Sequence, residues 1–200
     1  RDHAGTFFWK SKDITMTSLD IHFLHGFGMV GQHSENITMD DVDFEAPKES
    51  GRTTAGYADF VQMSGCKGTI NISNCTFAGP HDDPINIHGT FNTVTAISSD
   101  RRTITVQYNH NETAGFPNFF EGDEIEFMTK GNMITVEDSV RTVTKVDGPD
   151  GMGGNMGDGS GSLTTIKLTL NEAVPSDVQV NQHVVENITY TPTVNITNCE

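Results

Sequence analysis

Lysine and arginine are scarce in this chain: 12 of them face 27 aspartates and glutamates, a net charge of −15 at pH 7 over 200 residues. A surface of that sign repels phosphate, so nucleic acid and anionic membranes are poor partners. Long apolar runs are missing as well. None approaches the roughly 20 residues that cross a bilayer, and no membrane helix is expected. Cysteine occurs only at Cys66, Cys75 and Cys199. The odd count and the lack of metal-ligand spacing argue against a disulfide framework. The length alone allows one large domain or two small ones.

What is present is a repeat. DITMTSLDIHF begins at Asp13 and NITMDDVDFEA at Asn36, 23 residues later. TINISNCTFAG follows at Thr69 and a partial copy, TVNITNCE, at Thr193. Alignment stacks Ile14, Ile37, Ile70 and Val194 in one slot, and Met16, Met39, Ile72 and Ile196 in the next. Leu19, Val42, Cys75 and Cys199 fill a third slot, which makes the two cysteines stacked core thiols. Apolar residues alternate, slip by one position, then alternate again, the mark of half-buried strands joined by a bend. Ser18, Asp41, Asn74 and Asn198 sit at the slip, and Asn and Asp tolerate left-handed backbone. A period of about 23 with such bends predicts an all-β fold, a parallel β-helix whose stacked coils share one core. Leucine-rich repeats fit less well, because their leucine consensus is missing. The same repeat explains the N-x-S/T sequons at Asn36, Asn71, Asn74 and Asn195 better than glycosylation does. Asp40, Asp41 and Asp43 are split by the bend, which speaks against calcium.

Two segments depart from the repeat. Ten extra residues fall within Glu45 to Tyr57, a turn-rich stretch expected to rim the functional face. After Thr90 the repeat stops, to resume near Thr193. TVTAISS, TITVQY, DEIEFM, MITVEDS, RTVTKV and TTIKLTL lie between and read as antiparallel strands of a small inserted barrel or sandwich. The expected division is 1–90 for β-helix coils, 91–187 for the insertion and 188–200 for the return to the β-helix. Asp147 to Ser162, DGPDGMGGNMGDGSGS, reads as a hairpin loop without the fixed-offset ligands of a calcium site. The abrupt start at Arg1 and the break at Glu200, where an earlier copy continues, read as a piece of a longer protein.

The repeat also places the acidic residues. DFVQMSG at Asp59 aligns with DPINIHG at Asp83, so Asp59 and the Asp82-Asp83 pair start neighbouring strands. Strands about 4.8 Å apart, and steps of about 3.3 Å along them, put the three carboxylates within roughly 5–8 Å. Like charges that close cannot all ionise easily, so at least one pKa should rise. A raised carboxyl beside an ionised one is the acid and base of glycoside hydrolysis. Inverting enzymes separate the two by roughly 6.5–9.5 Å and retaining ones by about 5–5.5 Å, and the estimate spans both. With Ile85 and Ile87 inward, Asn86 and His88 point outward on the same face as candidate sugar ligands, and His81 precedes the pair in its turn. Trp9, the single tryptophan, is a candidate for stacking on a sugar but more simply a packing residue.

The run YADFVQMSGCKGTINISNCTFAGPHDDPINIHGT, Tyr57 to Thr90, resembles glycoside hydrolase family 110, bacterial α-1,3-galactosidases. The resemblance implies a right-handed parallel β-helix interrupted by a β-barrel, several times longer in full. It implies removal of terminal α-1,3-linked galactose from blood group B and related glycans, by inversion, with no cofactor and no metal. By motif, Asp82 corresponds to the general acid, and Asp59 and Asp83 to the pair that activates water. A galactose-terminated glycan as partner and a periplasmic or secreted location follow from the same resemblance. Two other readings remain open on the residues themselves. A polygalacturonase-like β-helix enzyme would also use aspartates on neighbouring coils, but no basic motif for an anionic sugar is present. A non-catalytic glycan-binding solenoid would need no carboxylate cluster.

Overall fold

A computed structural model of the chain describes residues 3–110, 113–114, 116–149 and 164–200. The loop expected at Asp147 to Ser162 therefore lies outside the described residues from position 150 on. The chain divides into two compact units, Arg1–Gly89 with Tyr190–Glu200, and Thr90–Thr189.

The first unit is built from two all-parallel sheets. One sheet orders β1 (Thr6–Trp9), β3 (Met29–Gln32), β5 (Val61–Ser64) and β8 (Ile85–His88). The other orders β2 (Lys12–Ile21), β4 (Glu35–Phe44), β6 (Lys67–Ser73) and β15 (Thr193–Thr197), with the short β7 (Thr76–Phe77) against the end of β4. The register places Ile14 opposite Ile37, Ile37 opposite Ile70, and Ile70 opposite Val194, so like residues sit on like residues. Met29, Val61 and Met63 from the first sheet share one core with Ile37, Met39, Val42, Ile70 and Ile72 from the second and with Cys75 of the bend between β6 and β7. Phe44 stacks between Phe60 and Phe77, its ring centroid 5.1 and 5.5 Å from theirs. Each such side chain withdrawn from water contributes about 1.5–3 kcal/mol before entropy is counted.

The bends keep this stack in step. Ser18, Asp41, Asn74 and Asn198 all hold positive φ, between 52° and 59°. Side chains run along that column: Ser18 Oγ donates to Asp41 Oδ2 at 2.7 Å, and Asn198 Nδ2 donates to Asn74 Oδ1 at 3.3 Å. Asn36 and Asn195, in N-x-S/T sequons, spend their amides on Asp13 and Asn71. Asp40, Asp41 and Asp43 are likewise engaged, by Ser73 and Asn74, by Ser18, and by the Thr76 backbone N–H. Cys66, Cys75 and Cys199 are free thiols, and burial pushes Cys66 up to about 11.

In the second unit β9 (Asn92–Ile97), β10 (Thr103–Tyr108), β11 (Glu124–Thr129), β12 (Arg141–Asp147), β13 (Thr165–Leu170) and β14 (His183–Asn187) close into an antiparallel barrel in the order β10-β13-β12-β11-β14-β9. Alternation fills it: Ile104, Val106 and Tyr108 on β10 meet Ile166, Leu168 and Leu170 on β13. One expected strand does not form. MITVEDS makes a single bridge, Met128 to Thr135, and is otherwise loop. Met133 and Asp138 hold positive φ at either end, Ile134 is 61% exposed, and Val136 packs only in part against the barrel core, so the alternation does not extend into a ladder. The sixth staff of the barrel is β14, whose HVVEN carries no alternation.

Candidate functional site

β5 and β8 pair in parallel with Val61 opposite Ile85 and Met63 opposite Ile87. Hydrogen bonds continue the ladder beyond the strand ends, from the Phe60 N–H to Asp83 O at 3.1 Å and from the Gly28 N–H to Asp59 O at 2.8 Å. Gly28 is required there, since a Cβ would lie 2.1 Å from the Phe60 carbonyl oxygen. These bonds hold Asp59 and Asp83 at the starts of adjacent strands. One carboxylate oxygen each from Asp59, Asp82 and Asp83 lies within 4.8 Å of the others.

The three are not equivalent. Asp59 is buried at 6% exposure, whereas Asp82 and Asp83 are exposed. Burial raises the Asp59 pKa above its ordinary 3.8, and the charges of Asp82 and Asp83 push the same way. The Asn86 amide, donating to Asp59 Oδ2 at 3.0 Å, and the Asp83 backbone pull it back down. The expected rise of one pKa thus falls on Asp59. Oxygens this close are nearer than the roughly 6.5–9.5 Å that admits water between an acid and a base. Asp82 is on an exposed turn, where side-chain rotation takes picoseconds to nanoseconds and can widen that gap. Three such oxygens also offer a hard cation a geometry it accepts.

Asn86 and His88 are both half-buried on β8, alternating with Ile85 and Ile87, which pack against the core. His88 is turned toward its own loop: its Nδ1–H donates to Gly89 O at 2.9 Å, leaving Nε2 to accept from Gln62 Nε2 at 3.5 Å. His81 is exposed, with its ring edge-on to Tyr57, centroids 6.0 Å apart. Trp9 is not brought to the cluster. It lies three strands from β8 in the same sheet, roughly 14 Å at about 4.8 Å per step, under the Lys10 ammonium. Two residues went unremarked in the sequence. Gln62, opposite Asn86 in the register, was marked by the alignment of DFVQMSG with DPINIHG; Tyr57 was marked only as the last residue of the rim.

The sequence profile of the GLAA-B beta-barrel domain II family matches residues 103–149, within the barrel unit. Over its whole length the chain is similar to proteins named alpha-1,3-galactosidase A. The one from Streptomyces avermitilis is 50% identical over 194 residues, 97% of this chain and 30% of the relative. Those from Peterkaempfera griseoplana and Bacteroides thetaiotaomicron are 46% and 41% identical over 98% and 99% of this chain, and 27% and 32% of theirs. The chain matches one segment of these alpha-1,3-galactosidases. It spans about 30% of the length of these curated relatives. That segment includes Asp59, Asp82 and Asp83, and with them the only group of three or more potential metal-ligating side chains found among the described residues.

Proposed function

We propose that this segment carries the catalytic carboxylates of an exo-acting glycoside hydrolase that removes terminal α-1,3-linked galactose with inversion. The observation that carries the reading is the meeting of Asp59, Asp82 and Asp83 within 4.8 Å at the starts of adjacent parallel strands. The names of the relatives supply the sugar and the linkage. In this mechanism Asp82, exposed and free to reach a leaving group, protonates the glycosidic oxygen as its bond to C1 breaks. Asp59 and Asp83 take a proton from water as its oxygen attacks C1 from the opposite face, releasing β-galactose. The raised pKa of Asp59 suits a base, because a carboxylate that holds protons more tightly accepts one more readily. The two parallel sheets belong, in this reading, to a right-handed parallel β-helix interrupted by the barrel, in a secreted or periplasmic enzyme with no metal.

The test is galactose release by the full-length protein from linear α-1,3-galactobiose and from blood group B trisaccharide, with the anomer followed by NMR. β-Galactose should appear first, EDTA should leave the rate unchanged, and Asp82→Asn should lower kcat by about 10²–10⁴-fold. α-Galactose as first product would replace inversion by retention. No release from either glycan would sink the enzyme and leave a glycan-binding solenoid.

A further inference from the structure

We infer that Tyr57 is a fixed aromatic platform for the apolar C–H face of a pyranose held at the carboxylates, and so a residue that sets specificity for the glycan. The inference rests on the cluster being a glycosidase site. Tyr57 stands out from its surroundings: Thr54, Ala55 and Gly56 before it and Ala58, Asp59 and Phe60 after it are all buried, while Tyr57 is 67% exposed. A bulky aromatic ring turned to solvent in the middle of a buried run is not there to fill the core.

Its backbone is pinned on both sides. The Leu24 N–H donates to Ala55 O at 2.7 Å, Thr54 Oγ1 donates to Gly56 O at 2.7 Å, and the Ala58 N–H donates to Gly26 O at 3.2 Å. The ring itself is braced edge-on against His81, at 6.0 Å and an interplanar angle of 76°. Only one face of either ring can be used in such a contact, so at least one face of Tyr57 stays open. The position follows from chain connectivity. Tyr57 is two residues before Asp59 and His81 is one residue before Asp82, so the ring pair joins the two turns that bear the carboxylates. A pre-positioned ring of this kind binds at low entropic cost, since nothing has to be ordered when the sugar arrives. Galactose offers it a patch of C–H groups on one side of the ring and hydroxyls elsewhere, which leaves the polar edge to Asn86 and the aspartates.

The experiment uses the full-length protein. Asp82→Asn, which blocks turnover, permits calorimetric titration with α-1,3-galactobiose, and the wild type gives KM and kcat. Tyr57→Ala and Tyr57→Leu should each weaken binding about tenfold or more and raise KM with kcat little changed, the loss of one aromatic contact. Tyr57→Phe, which keeps the face and drops the hydroxyl, should stay within about twofold. The exposed position should leave the melting temperature of all three near the parent, and Tyr57→Leu repeats the test should Tyr57→Ala fold poorly. Binding by Tyr57→Ala or Tyr57→Leu equal to the parent overturns the inference, as does a Tyr57→Phe loss as large as that of Tyr57→Ala. Those outcomes leave the catalytic reading standing. A wild type that neither binds galactobiose nor releases galactose overturns both.

Discussion

Asp59 and Asn86 form a pair whose chemistry is set by one hydrogen bond. Burial makes the charged form of Asp59 costly, and the Asn86 amide is the largest influence that restores it. Removing a donor to a carboxylate disfavours the ionised form, so Asn86→Ala should raise the Asp59 pKa further. In the proposed mechanism Asp59 acts as a base, and it can do so only when ionised. Activity is therefore lost as pH falls through its pKa, and the acidic limb of the kcat/KM profile lies above the ordinary carboxylate value. In Asn86→Ala that limb should move to still higher pH, while activity on the plateau falls less than in Asp82→Asn. A limb that stays in place, or moves down, would mean that Asp59 is not the titrating base. The sequence alignment was enough to bring Asp59 beside Asp82 and Asp83, because register in a parallel pair fixes Cα positions. It could not show that Asp59 alone is buried, that His88 turns to Gly89, or that Tyr57 faces solvent, since these depend on what packs around each turn.

The strands themselves were legible where two signals coincided. Alternation gave the faces of β2, β4 and β6, and Ser18, Asp41, Asn74 and Asn198 marked the bend, all with positive φ. Where left-handed residues lack that chemistry the signal was silent: Lys10 and His33 hold φ of 49° and 46° at the turn out of the first sheet. MITVEDS shows the opposite failure, alternation that makes only one bridge and buries Val136 in part. The bend column makes a prediction of its own. At Asn74, φ is 54°, Nδ2 donates to Asp40 Oδ1 at 2.7 Å, and Oδ1 accepts from Asn198. Asn74→Ala strains the backbone and deletes both bonds, and urea titration should show a loss of about 1–3 kcal/mol. Asn74→Gly loses the bonds but not the backbone preference, and should be about 1 kcal/mol the more stable of the two. Equal losses would assign the whole effect to the side-chain ladder.

At the scale of the whole chain the net charge of −15 bears on which sugar the proposed site would take. The relatives' names speak of galactose, which is neutral, whereas a polygalacturonase-like enzyme takes a sugar with a carboxylate on C6. If a bound uronate placed its carboxylate about 5 Å from one of these aspartates, the two charges would repel. At an effective dielectric constant of about 20 that repulsion is about 3 kcal/mol, or about a hundredfold in rate. The full-length protein should therefore turn over an α-galacturonoside at least about a hundredfold more slowly than the matching α-galactoside, measured as kcat/KM. Raising the salt to about 0.5 M shortens the screening length below the 8 Å of physiological solution and should narrow the gap for the part that comes from exposed charge. The part that comes from Asp59 is buried and should persist. Equal or faster turnover of the galacturonoside would require a cation at the site, and would favour the polygalacturonase-like reading over a galactosidase.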